Sequence, residues 1–368
     1  MSVRIGSMIF DAWRSLPLSE NRWSDTVVFP LSVQDCLPPT DYASIIKAML
    51  PPAEKLRRSL SVWVQVQDAP GQWFPQELAR SFKGSVLPVA VTTGEIPRAQ
   101  DFSYMPWTDI RPSPPLPAAD DLFPTELSPN ELRCLRALAR LETAYTAEVA
   151  SLAGVGETNT RQALKDLAKN NLVELKVLKG KKYPYWTILR GGISVVLRSW
   201  GVPPGVPMPK WKERHSGGIK KEFAKQGIDR VGRHLRTARL WPFWLRRSWP
   251  QAEIWTGWSE VTLGRWRRPD ALAWGSLDGV ETLFWLEVEK MHRSRDETKK
   301  LLSNRHNRAL IYARSFPVHL VFVVLSQAWI HGAVIDGFQD LPNSTAVVFG
   351  EWTNYGSLPV PVWGKAVK

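Results

Sequence analysis

Three carboxylates in two short runs are the residues of this chain best suited to chemistry. Arg268-Pro269-Asp270-Ala271 is followed, seventeen residues after its Asp, by Glu287-Val288-Glu289. Side chains alternate along a strand, so an extended 282–289 puts Glu287 and Glu289 on one face and Leu286 and Val288 on the other. Gathered carboxylates repel one another and are costly to desolvate unless something compensates. A divalent cation with oxygen ligands, Mg²⁺ or Mn²⁺, is the usual compensation. Such an ion makes a bound water more acidic and stabilises charge on a phosphate under attack. Asp270 and Glu287 are the expected ligands, with Glu260 or Glu289 completing the shell. The alternative is a solvated strand end whose acids pair with nearby arginines.

Two strands must hold these acids. The expected spans are 270–274 and 282–289, joined by the turn Ser276-Leu277-Asp278-Gly279. Before them the pattern predicts a helix over 230–247, with Leu235, Leu240, Trp241 and Leu245 inward, and strands at 253–256 and 261–266. After them come a long basic helix at 296–314, an apolar strand at 318–325, a helix from 327 and a strand at 346–349. Lys299 and Lys300 on the long helix are candidate catalytic cations. Arg265, Arg267, Arg268, Arg305 and Arg308 are candidates for holding a nucleic-acid strand. Tyr312 is assigned to helix packing rather than to covalent catalysis.

Pro-rich runs at 111–117 and 202–209 divide the chain. They leave an N-terminal segment 1–110, a middle segment 127–200 and a C-terminal segment 226–355. The first predicts a small α/β domain, with strands at 61–66 and 86–91 and a helix at 75–82, and carries no recognisable chemistry. It is open equally to use as a docking module for a protein partner or as a cover for the other domains. In the middle segment, Ser128-Pro129 starts a helix carrying Leu132, Leu135, Leu138 and Leu141. A short helix at 146–153, the turn Gly154-Val155-Gly156 and a third helix at 158–169 follow, the last with Ala163, Leu164 and Leu167 inward. Two strands, 172–175 and 183–189, flank the basic turn Lys179-Gly180-Lys181-Lys182.

This order resembles the winged helix-turn-helix domains of DNA-binding proteins. The resemblance implies that the third helix enters the major groove, with Asn159, Thr160, Arg161 and Gln162 at base edges. Lys165 and Lys169 would lie nearer phosphates, and Lys176, Lys179, Lys181 and Lys182 would place the wing on the backbone. Protein contact or dimerisation is the other use of such a domain.

Helix, three strands, helix, strand is the order of the PD-(D/E)xK nuclease core, so the C-terminal segment resembles that α/β core. More narrowly, His234, Trp258-Ser259-Glu260, Pro269-Asp270-Ala271 and Leu286-Glu287-Val288-Glu289, behind a winged helix, resemble the replication-relaxation family of plasmid and mobile-element proteins. That resemblance implies DNA processing in plasmid replication or transfer, by a metal-dependent nickase or relaxase lacking the histidine pair of commoner relaxases. The six histidines here contain no pair separated by one residue. Glu289 stands where the PD-(D/E)xK pattern expects lysine. The alternative is a non-catalytic replication initiator or regulator with a degenerate nuclease fold.

Composition agrees with a nucleic-acid partner. The 368 residues carry a formal charge of +13, and 205–249 alone holds twelve Lys or Arg against three acids. Duplex DNA is the expected partner, with single-stranded DNA possible near a nick. Two cysteines exclude a disulfide framework or cysteine zinc site, and no run approaches a membrane helix, so a cytoplasmic setting is expected. Nineteen tryptophans are mostly expected in the core, with one or two against DNA bases.

Overall fold

The computed structural model describes residues 3–5, 8–10, 12–19, 22–33, 38–49, 60–83, 88–101, 127–141, 143–177, 184–199, 241, 245, 251–259, 261, 263, 269–289, 294–326, 346–351 and 362–365. The chain forms two compact units. The first comprises Met1–Ala69 with Glu77–Glu213, and the second Pro70–Gln76 with Arg214–Lys368. Seven residues that the sequence places in the N-terminal segment thus belong to the second unit.

In the first unit, β1 (Val3–Ile5) and β2 (Met8–Phe10) form an antiparallel pair. Strands β3 (Ala12–Ser19), β4 (Arg22–Ser32), β5 (Leu60–Gln67) and β6 (Val89–Thr92) make a four-stranded sheet in chain order. β4, β5 and β6 run parallel, which requires crossover connections. Helix α1 (Pro39–Met49) lies between β4 and β5 in sequence, and α2 (Trp73–Ser81), whose first four residues belong to the second unit, lies between β5 and β6 in sequence. Val62, Val64 and Val66 on one face of β5, and Ser61 and Trp63 on the other, are all buried, as expected of a parallel strand covered on both sides.

The same unit contains α3 (Pro129–Leu141), β7 (Thr143–Ala144), α4 (Thr146–Ala153), α5 (Glu157–Lys169), β8 (Val173–Lys176), β9 (Tyr185–Ile188) and α6 (Arg190–Ser199). Gly154 ends α4 at φ 64, a left-handed geometry that glycine adopts without steric cost. Leu135, Leu138, Val149, Leu164 and Leu167 fill the core between the helices. β9 is the centre of a small sheet ordered β7-β9-β8, and Trp186 on it donates to Thr146 Oγ1 at 3.1 Å, tying the sheet to α4. Three helices followed by this hairpin have the winged helix-turn-helix layout.

The second unit holds a six-stranded sheet in chain order: β10 (Ala252–Ser259), β11 (Ala271–Leu277), β12 (Val280–Glu289), β13 (His319–Ser326), β14 (Ala346–Glu351) and β15 (Val362–Lys365). β10, β11 and β12 are antiparallel, β12, β13 and β14 are parallel, and β15 returns antiparallel. Leu277 pairs with Val280, so Asp278 (φ 51) and Gly279 (φ 79) form a two-residue hairpin loop with positive φ at both positions, which Asp-Gly favours. Helix α7 (Arg295–Ala313) makes the crossover from β12 to β13. It begins with Ser294, whose hydroxyl accepts from Glu297 N at 3.3 Å while Glu297 Oε2 accepts from Ser294 N at 3.1 Å.

One continuous strand, β10, replaces the first of the two short strands expected at 253–256 and 261–266. Val261 and Leu263 are buried and non-helical, non-strand, and the rest of the second span lies outside the described residues. Of the helix expected at 230–247, only Trp241 and Leu245 are described, both helical and buried. The helix from 327 lies outside the described residues. Trp73, Phe74, Trp255, Trp258 and Trp274 form one aromatic cluster in the second unit, with the Trp255–Trp274 centroids 4.9 Å apart and edge-to-face. Core packing accounts for these rings.

Candidate functional site

Two arrangements of polar residues stand out, one in each unit. In the first, α5 presents the side chains assigned to base reading. Thr160, Ala163, Leu164 and Leu167 form its buried row, and Asn159, Arg161, Gln162, Lys165 and Lys169 are exposed. Thr160 is a correction. It is fully buried, donates to Val155 O at 3.3 Å and meets the Cys134 thiol, so it packs against α3 rather than reaching outward. Its place one turn before Ala163 and Leu164 puts it on the inner row, a periodicity the sequence already contained. Burial pushes the Cys134 thiol up from its ordinary range.

The outer side of α5 is not purely basic. Arg161 donates to Glu157 Oε1 at 2.9 Å, Gln162 to Asp166 Oδ2 at 2.8 Å, and Lys169 to Asp166 Oδ1 at 2.7 Å. The hydrogen bonds from Lys169 and then Gln162 hold the Asp166 carboxyl below the usual carboxylate range. On the hairpin, Lys176 pairs with Glu174 at 3.1 Å. Lys179, Lys181 and Lys182 lie outside the described residues.

In the second unit the register sets the carboxylates. Ala271 pairs with Leu286 as the final pair of the β11–β12 ladder, and Asp270 and Glu287 are the next residues beyond it. Asp270 accepts from Val288 N through Oδ2 at 2.7 Å and donates its own N–H to Leu286 O at 3.1 Å. Glu287 is 2% exposed. Its Oε1 accepts from Trp285 Nε1 at 3.1 Å, and Arg305 Nη1 of α7 stands 3.0 Å from its Oε2. The inner row of α7, Thr298, Leu302, Arg305, Ala309 and Tyr312, faces this side of the sheet, where Trp285 and Tyr312 meet with centroids 6.0 Å apart.

Arg305 therefore occupies the place beside Glu287 for which Lys299 and Lys300 were candidates. Both lysines are exposed, next to the buried Thr298 in sequence but off the inner row. Tyr312 is fully buried, and its hydroxyl accepts from Trp73 Nε1 at 3.1 Å, a packing role. Glu260 lies outside the described residues. Glu289 continues β12, paired with Ser326, with its Cα on the Glu287 side of the pleat. Among the described residues no group of three His, Cys, Asp or Glu could hold a metal ion. Asp270 is held by the Val288 N–H, and Glu287 by Trp285 and Arg305.

No family model matches the chain, and no curated protein matches it. Among solved structures it is similar to a MarR-family transcriptional regulator from Silicibacter pomeroyi, at 19% identity over 28% of this chain and 74% of that one, with a TM-score of 0.20. A single-substitution mutant of ZitR from Lactococcus lactis gives 12% identity over 30% and 70%, and a TM-score of 0.20. The archaeal chromatin protein TrmBL2 gives 13% over 61% and 72%, at 0.16. Likeness at these scores is slight. Among the described residues no helix is long and apolar enough to cross a membrane.

Proposed function

We propose that this protein binds duplex DNA, presenting α5 to the major groove with the β8–β9 hairpin against the backbone. The outer side of α5 carries the reading: Asn159, Arg161, Gln162, Lys165 and Lys169 are exposed on the third helix of a winged helix-turn-helix layout. Arg suits guanine edges, Asn and Gln suit adenine, and lysines suit phosphates. The formal charge of +13 supports a polyanionic partner. Titrating fluorescent duplex DNA tests it. The triple substitution Arg161→Ala, Lys165→Ala and Lys169→Ala is expected to weaken binding at least tenfold, and unchanged binding overturns the proposal.

A second reading is metal-dependent nicking in plasmid or mobile-element processing, as the replication-relaxation resemblance implies. Two observations favour it: Asp270 and Glu287 follow directly on the last pair of the β11–β12 ladder, and three antiparallel strands cross through α7 to a parallel fourth. Asp270 and Glu287 would hold the ion, joined by Glu260 or Glu289. When bound, Mg²⁺ or Mn²⁺ supplies positive charge to the phosphate and a more acidic water. In this reading Trp285 and Arg305 orient Glu287, and the Val288 N–H orients Asp270. Single-stranded DNA at the nick and a protein partner for residues 1–110 belong to the same proposal. Supercoiled cognate plasmid with Mg²⁺ or Mn²⁺ should yield open circles from the wild type and none from Asp270→Asn. Absence of open circles from the wild type leaves the non-catalytic initiator or regulator.

A further inference from the structure

We propose that Glu157 and Asp166 set the selectivity of α5, lowering its attraction for any phosphate backbone so that the base contacts of Arg161 and Gln162 decide binding. The inference rests on duplex-DNA binding through α5. At 3.6 residues per turn, Thr158, Gln162, Lys165 and Lys169 form the outermost row, opposite the buried Thr160, Ala163, Leu164 and Leu167. Glu157 with Arg161 flanks that row on one side, and Asp166 on the other. Each acid engages a side chain able to read a base: Glu157 holds Arg161 at 2.9 Å and Asp166 holds Gln162 at 2.8 Å. Asp166 also holds Lys169, a phosphate-type cation, at 2.7 Å.

The outer side carries Arg161, Lys165 and Lys169 against Glu157 and Asp166, a formal +1 where the three cations alone would give +3. Phosphates meet two carboxylates beside the row, which weakens contact with any duplex regardless of sequence. A matched site differs because guanine O6 and N7 offer Arg161 two acceptors, and adenine N6 and N7 satisfy the Gln162 amide. Exposed intrahelical pairs are weak, so base edges and phosphates both displace them; the two carboxylates act by lowering the attraction for phosphates, which every duplex offers, and leave the base contacts as the discriminating term. Selectivity then comes from penalising the wrong partner as much as from rewarding the right one.

The experiment uses the full chain, a best site enriched from a random duplex pool, and a scrambled duplex of equal length. Glu157→Gln, Asp166→Asn and their combination keep side-chain size and remove charge. The expected result for the double variant is scrambled-duplex affinity raised roughly tenfold at low salt, a steeper salt dependence, and a preference for the enriched site reduced roughly tenfold, at a wild-type melting temperature. A scrambled-duplex affinity within twofold of wild type, or an undiminished preference, overturns the inference. Arg161→Ala separates the two claims. If it weakens binding while the acid substitutions change nothing, only the selectivity role fails. If neither changes binding, contact through α5 fails as well.

Discussion

Glu281 of the sheet caps a helix that begins 208 residues earlier: its Oε1 accepts from the backbone N–H of Trp73 at 2.8 Å. The same oxygen accepts from Trp274 Nε1 at 2.8 Å, and Oε2 accepts from Gln72 N at 3.0 Å. One carboxylate thus satisfies two amides at the start of α2, where a negative charge is favoured, and anchors residues 70–76 within the second unit. Glu281→Ala leaves three donors to find new partners and is expected to cost about 2 kcal/mol, read from urea unfolding. Glu281→Gln keeps acceptor oxygen and should recover part of that loss. A Cβ at Gly71 would lie 2.5 Å from Glu281 Oε1, so Gly71→Ala is expected to destabilise in the same assay.

The Glu287–Arg305 pair predicts an asymmetry. Both side chains are largely withdrawn from water, at 3% and 11% exposed. Glu287→Gln strands a buried guanidinium charge, at an expected cost of about 3 kcal/mol, and Arg305→Met strands the carboxylate at a similar cost. Replacing both with apolar residues of like volume should cost much less than the sum of the two, and a double-mutant cycle on urea midpoints measures the difference.

On α5, Lys165→Ala should weaken duplex binding about equally for all sequences and flatten the slope of log affinity against log salt by about 1. Arg161→Ala should instead cost about 1–3 kcal/mol at one base position and relax preference there. Salt titrations against the enriched and scrambled duplexes distinguish the two effects.

His306 on α7 is fully buried, its ring edge-to-face with Phe322 at 5.4 Å. Burial holds its imidazole below the ordinary value of 6.5. The unfolded chain therefore takes up this proton more readily than the folded one. The contribution to stability is complete above about pH 6.5 and is lost as pH falls from there through the folded pKa. Urea midpoints should drop between about pH 7.5 and about pH 5 in the wild type, and His306→Leu should reduce that drop.

Much of the local structure was legible in the residues. Leucine spacing marked α3, Gly154-Val155-Gly156 marked the turn after α4, and Asp278-Gly279 marked the β11–β12 hairpin, because each depends on contacts a few residues apart. Thr160 shows a signal present but overridden: the winged-helix resemblance set it at a base edge, while its spacing from Ala163 and Leu164 placed it inside.

By itself the sequence determined where elements form, which side of each strand or helix is apolar, and which residue types are available at the two candidate sites, since propensity and periodicity act over a turn or a hairpin. Only the tertiary structure decided that Arg305 rather than Lys299 or Lys300 faces Glu287, that Trp73 and Phe74 join the tryptophans of the second unit, and that Glu281 caps a helix 208 residues away. Those partners are chosen by sheet register and by which row of α7 turns inward. Both are set by burial of apolar surface across the whole unit, a quantity no short stretch of residues contains.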